Sequence, residues 1–362
     1  MAPPAAAADS APVENDPSAR SAGDLPAGVA TGRGAGSGKV LSNGVAAPAQ
    51  PSGPDALAYL RHGDPGRALV PAGVNDPACR VTADRPSAVI VVHGTGGSVY
   101  TDYSALATAL VDDGWCVFGA DLGLADDPAD GFGHQPLEES LRELDRLINA
   151  ATTTSGADTV SLVGYSQGAV LARMWVNTID RGATTDTVVL LASPTRGATL
   201  WGLAGLLPLA KAIEHVYPPL RGKLVNPALV ELVPGSPLLA RVNSPGETVP
   251  GPAYVTIQSR YDEYIPDQAT QPVHGPKTRS LVITDLCPRE TIGHIDMTYS
   301  PTVIDATRYL LRNWSMGGLR GQIRCVDRFP GTAAAHSAIV VNLLKLRYGR
   351  FIPTPVIYAT VI

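Results

Sequence analysis

Charge is scarce in this chain. Of its 362 residues only 17% are Asp, Glu, Lys or Arg, and 33 acids against 28 bases leave a formal charge of −5. No run of Lys or Arg stands out, which argues against a nucleic-acid partner. Cysteine is equally sparse: Cys79, Cys116, Cys287 and Cys325 are widely spaced, with no C-x-x-C and no histidine pair beside them. That pattern argues against a zinc site. It leaves two readings open, a pair of disulfides in an exported protein or four buried thiols. The apolar stretch at residues 200–209 has only ten residues, too short to span a bilayer, so no transmembrane segment is expected.

Residues 1–54 are Ala, Pro, Gly and Ser with almost no large apolar side chains. Such a segment cannot bury enough surface to fold and is expected to be a disordered leader. It also lacks the continuous apolar stretch, roughly 7–15 residues, of a Sec signal, which leaves a cytoplasmic location as the alternative to export. Within it, Gly34-Ala35-Gly36-Ser37-Gly38-Lys39 has the outline of a phosphate loop. Arg33 stands where the first glycine belongs, Val40 where Ser or Thr belongs, and no strand precedes it, so that reading fails.

Hydrophobic residues make up 44% of the chain, enough for a sizeable core. From Ser87 onward, short β-branched runs at 88–92, 115–120, 159–163, 187–191, 254–258 and 280–284 read as strands. Between them, 103–111, 137–151, 167–179 and 302–311 carry apolar residues at helical spacing. Strands alternating with helices predict an α/β fold, a mostly parallel sheet covered on both faces. The expected catalytic domain spans 55–315. An insertion at 195–243 breaks the alternation, and its apolar stretch reads either as a core helix or as a lid over an apolar pocket. Residues 316–362 form a C-terminal extension of unassigned role.

The chemistry gathers where such sheets hold it, at the carboxyl ends of the strands. Gly164-Tyr165-Ser166-Gln167-Gly168 follows one strand and opens a helix, the setting of a nucleophile elbow, which makes Ser166 the expected nucleophile. The backbone N–H of Gln167 lies at a helix start, where free donors and the dipole favour an oxyanion. His93-Gly94-Thr95-Gly96-Gly97 follows the strand at 88–92. Its glycines let N–H groups turn toward the nucleophile, and Thr95 adds a hydroxyl donor. His93 itself reads as structural. The orienting acid is expected at Asp262, with Glu263 and Asp267 as rivals in the same loop. The base is expected at His294, after the last strand; Asp296 beside it reads as a supporting or simply exposed charge. Ser166, Asp262 and His294 occur in the chain order of an α/β-hydrolase.

Residues 88–301 resemble the secreted lipase/esterase family of actinobacteria, the class 2 lipases. The pieces that carry the resemblance are Val91-Val92-His93-Gly94-Thr95, Gly114-Trp115-Cys116-Val117-Phe118, Val163-Gly164-Tyr165-Ser166-Gln167-Gly168, Ser259-Arg260-Tyr261-Asp262-Glu263 and Asp285-Leu286-Cys287-Pro288. The Ser-Gln pair with a Thr in the oxyanion loop is also similar to fungal lipase B. The resemblance implies an α/β-hydrolase fold, cofactor-free hydrolysis of carboxylic esters, secretion, a lipid or small-molecule ester as partner with transient contact at a lipid interface, and a Cys79–Cys116 disulfide. Cys287–Cys325 would be the remaining pair. An acyltransferase or polyester depolymerase would use the same triad. A non-catalytic binding protein of this fold would be expected to lack a triad member.

Because His294 must be neutral to act as base, activity is expected to rise with pH through roughly 6–7, the ordinary imidazole range. A chemistry-limited rate that stays flat across that range would remove His294 from the role.

Overall fold

The computed structural model describes residues 45–49, 52, 69–125, 131–199, 212–213, 215–216, 226–244, 246–262, 264–265, 271–315 and 317–326. Its strands are β1 (Val45–Ala47), β2 (Leu69–Pro71), β3 (Ser87–Val92), β4 (Val117–Gly119), β5 (Thr159–Tyr165), β6 (Thr185–Leu191), β7 (Ala253–Gln258) and β8 (Thr278–Val282). The last six form one parallel sheet in the order β4-β3-β5-β6-β7-β8. Its helices are α1 (Val99–Asp112), α2 (Leu137–Ser155), α3 (Gln167–Trp175), α4 (Pro227–Glu231), α5 (Pro237–Val242), α6 (Ile283–Leu286) and α7 (Pro301–Leu310). This is the α/β-hydrolase-like architecture expected.

Strands β3 and β7 are buried from end to end, because helices cover both faces of the sheet. Side-chain alternation divides the core accordingly. Ala88, Ile90 and Val92 pack with α2 and α3, while Val89 and Val91 pack with α1 and α7. In α2 the stripe Leu137, Leu141, Leu144, Ile148 and Ala151 recurs at helical spacing, and the helix stops at Gly156, whose φ of 70° is left-handed.

Several boundaries differ from expectation for local reasons. Helix α1 begins at Val99 rather than residue 103, because Ser98 and Thr101 form a reciprocal capping box that the apolar spacing does not register. Helix α3 is α-helical only to Trp175 and continues as a π-helical turn over Val176–Asp180. Strand β4 covers only Val117–Gly119. It lies at the edge of the sheet, and the Asn75 amide donates to Gly119 O and accepts from Gly119 N–H, as a neighbouring strand would. The last strand ends at Val282, where α6 begins.

The ends also differ. Val45–Ala47, inside the expected leader, pairs in parallel with Leu69–Pro71, and the Tyr100 hydroxyl donates to Pro48 O. Beyond residue 315, Cys325 is joined to Cys287 and Arg324 makes a paired ion contact with Asp305. Most of the leader, the apolar stretch of the insertion and the rest of the extension lie outside the described residues.

Strand order explains where a site can form. The chain leaves β3 through α1 toward β4 on one side, and leaves β5 through α3 toward β6 on the other. Those connections diverge above two adjacent strands and open a crevice at their carboxyl ends.

Both disulfides are present, Cys79–Cys116 and Cys287–Cys325. The first closes a loop with a sequence separation of 37 residues. Loop-closure entropy for such a link is worth roughly 4 kcal/mol. The double substitution Cys79→Ala/Cys116→Ala is therefore expected to lower the unfolding free energy by about 2–4 kcal/mol. Denaturant titration checks this, and an unchanged midpoint would show that the bridge does not restrain the unfolded chain.

Candidate active site

Ser166 sits between β5 and α3 with φ 53° and ψ −122°, a conformation that a side chain tolerates only under compulsion from its surroundings. Close packing on both sides supplies that compulsion. A Cβ on Gly168 would lie 2.0 Å from Val92 O and 2.5 Å from His93 O; one on Gly164 would lie 2.5 Å from Gly168 O. The start of α3 thus rests directly on the backbone of β3. The Ser166 N–H donates to Leu191 O at 2.9 Å, tying the turn to the end of β6 as well. The hydroxyl is left half-buried at the crevice.

The structure brings the three residues expected from sequence into one line. His294 Nε2 is 2.9 Å from Ser166 Oγ, and His294 Nδ1 is 2.8 Å from Asp262 Oδ2. An ionised carboxylate only accepts, so Nδ1 carries the imidazole proton and donates it to Asp262. Nε2 is then bare and accepts the serine hydroxyl proton. Asp262 and His294 are only 4% and 6% exposed, so water competes little for these contacts. The other oxygen of Asp262, Oδ1, accepts the N–H groups of Tyr264 at 3.0 Å and Ile265 at 2.9 Å. That turn fixes the carboxylate and leaves Oδ2 for the imidazole. Glu263 and Asp267, the rivals for this role, lie outside the described residues.

The imidazole is also flanked by aromatic rings. Tyr264 and Tyr165 have ring centroids 4.9 and 5.3 Å from that of His294. The Tyr165 hydroxyl donates to His294 O at 3.1 Å. Asp296 is buried and accepts the N–H of Gly293 at 3.1 Å, which shapes the turn that presents His294. Motif reading did not single out Tyr165 or Tyr264 for this contact; adjacency to Ser166 and Asp262 was the available signal.

The loop that follows β3 also reaches Ser166. A Cβ on Gly94 would fall 3.2 Å from Ser166 Cβ, so the loop's backbone approaches the nucleophile closely. Gly96 N–H donates to Phe132 O at 2.9 Å and Gly97 N–H to Gly94 O at 3.3 Å. Thr95 departs from the expected picture: its hydroxyl donates to the Gln167 side-chain oxygen. The two residues expected to hold an oxyanion are therefore linked to each other. The Gln167 N–H, at the first position of α3, has no acceptor one helical turn back within its own helix.

His93 is placed as a structural group. Its Nε2 accepts the Leu122 N–H at 2.8 Å, so Nδ1 carries the proton and donates to Gly94 O at 2.8 Å. Burial lowers its pKa to about 4, against the opposing effect of the Gly94 bond, and keeps it neutral.

Comparison with known proteins agrees with this geometry at the level of the fold. The sequence profile of the palmitoyl protein thioesterase family matches residues 88–219. No curated protein matches the chain. Among solved structures, lipase B of Aspergillus fumigatus is similar at 15% identity and TM-score 0.52, over 76% of this chain and 70% of that one. Lipase BlEst2 of Bacillus licheniformis is 15% identical over 65% of this chain and 96% of its own, with TM-score 0.45. The fold is that of the α/β-hydrolases.

A Gly168→Ala substitution tests the packing that imposes the elbow. The added methyl meets backbone oxygens of β3 that cannot rotate away, at an expected cost of about 1–3 kcal/mol and a loss of activity exceeding the loss of fold. Unfolding curves and turnover measured together check it. A fully active Gly168→Ala would mean that the contact does not govern the turn.

Proposed function

We propose that the chain is a serine hydrolase of carboxylic esters, working through an acyl-enzyme in the manner of lipases and esterases. The observation that carries this reading is the position of His294, within hydrogen-bond distance of both Ser166 Oγ and the buried Asp262. In this reading His294 removes the serine proton as the hydroxyl attacks the acyl carbonyl, and Asp262 stabilises the imidazolium that forms. The N–H groups of Gln167 and Thr95 face the carbonyl oxygen as it becomes negative, with Thr95 also turning its hydroxyl from the Gln167 side chain toward that oxygen. His294 then returns the proton to the leaving group, and water enters by the same route in reverse. No step requires a metal or cofactor.

A second reading concerns the leaving atom. The match to the palmitoyl protein thioesterase profile favours thioesters of long acyl chains, for which the same machinery serves with sulfur leaving instead of oxygen. Among the described residues of the insertion, Ile213 and Val216 are exposed, which suits a segment that meets an apolar substrate or interface. Among the described residues no helix is long and apolar enough to cross a membrane. The two disulfides suit an oxidising compartment and hence the secretion that the resemblance implies.

The test is turnover of p-nitrophenyl esters from acetate to palmitate beside palmitoyl-coenzyme A, by the protein and by Ser166→Ala. The substitution should leave unfolding unchanged and reduce turnover by roughly 10⁴-fold or more. The ratio of ester to thioester rates separates the two readings. Wild-type-like turnover in Ser166→Ala would defeat both.

A further inference from the structure

Gly94–Gly97 is a loop with few side chains to hold its own shape, and a buried acid outside every motif reaches it from below. Asp102 lies in the first turn of α1 and is 4% exposed. Its Oδ2 accepts the N–H of Gly94 at 2.8 Å, and its Oδ1 accepts the Thr101 hydroxyl at 3.3 Å. At the other end of the loop, a Cβ on Gly97 would fall 2.3 Å from Oδ2 and 2.4 Å from Oδ1. One carboxylate thus bonds the first residue of the loop and fills the space beneath the last.

The helix that carries Asp102 is anchored to the same strand ends that carry the site. The Tyr103 hydroxyl lies 3.0 Å from Val92 O and 2.7 Å from Val163 O, the carbonyls just before His93 and Gly164. The Val99 N–H donates to Asp121 Oδ1 at 2.7 Å, and the Tyr299 hydroxyl donates to Thr101 O. Asp102 is therefore a fixed reference from which the loop can be aimed. A Cβ on Gly94 would come within 3.2 Å of Ser166 Cβ, so any displacement of Gly94 changes the distance between the neighbouring Thr95 and the nucleophile.

We propose that Asp102 is a positioning residue of the oxyanion hole: by accepting the Gly94 N–H and supporting Gly97, its carboxylate sets how the peptide N–H of Thr95, between them, faces Ser166. This rests on the serine-hydrolase reading above. Donors that serve a developing oxyanion act in the transition state and not in ground-state binding. Loosening them should therefore lower kcat and leave KM nearly untouched, with the thermal unfolding curve separating this from a loss of folded enzyme, which also lowers apparent kcat at constant KM.

The full-length protein and its Asp102→Asn and Asp102→Ala variants would be compared in three measurements. These are the rate of labelling by a fluorophosphonate probe, kcat and KM for p-nitrophenyl butyrate, and thermal unfolding. Asp102→Ala leaves the Gly94 N–H without its acceptor, and labelling and kcat should each fall by about 30–300-fold with KM within about threefold. Asp102→Asn keeps an acceptor and should fall by only about 3–10-fold. If the alanine variant does not fold, the nearly isosteric asparagine variant decides alone, by the same pattern. Labelling at the wild-type rate in a folded variant, or a loss carried by KM, overturns the proposal while leaving Ser166 in its role. A wild-type protein that does not label overturns the serine-hydrolase reading and this inference together.

Discussion

The contact between the first turn of α3 and the end of β3 is the constraint on which the site depends. Gly168 lies so near Val92 O and His93 O that no side chain fits there, and Gly164 lies as close to the carbonyl of Gly168. This approach forces the chain to turn within one residue, and Ser166 takes the resulting positive φ of 53°. Unfavourable backbone of this kind costs on the order of 1–3 kcal/mol, met here by the buried strands β3 and β5 and the buried helix α3. The turn sets a serine hydroxyl at the mouth of the crevice and the first N–H of α3 beside it, so nucleophile and oxyanion donor come from a single packing decision.

A second constraint is electrostatic. An imidazole and a carboxylate are held together in a site almost closed to water, and each remaining polar atom of the pair has an assigned partner. With Asp262 Oδ1 engaged by two backbone N–H groups, its orientation does not depend on the histidine. The proton on His294 Nδ1 is held by that geometry, which leaves Nε2 directed at Ser166. His93, four residues before Gly97 and equally buried, shows the contrast: with both nitrogens committed to backbone, it has no remaining atom to work with.

Much of this was legible in the sequence, because it is written in local pattern. Six β-branched runs became the six strands of the parallel sheet, and the elbow stood out through its place between strand and helix. The oxyanion loop was legible as glycines after a strand. What escaped was non-local or ambiguous in type. Nothing around Val45–Ala47 signals that it pairs with Leu69–Pro71, since the partner is over twenty residues away and neither run is long. Asp102 escaped because the apolar spacing starts the helix at residue 103 and leaves Asp102 in the loop before it; only the fold places it under Gly94 and Gly97. The Thr95 hydroxyl engages the Gln167 side chain, a contact across 72 positions of sequence that no spacing rule reports.

The most direct test of the central claim is peptide mapping after reaction with diethyl p-nitrophenyl phosphate, carried out on the protein and on His294→Ala. The account predicts one diethylphosphoryl adduct, on the peptide containing Ser166, formed rapidly in the wild type and slowed by orders of magnitude without the histidine. An adduct on another residue, none at all, or one formed equally fast in His294→Ala would contradict it.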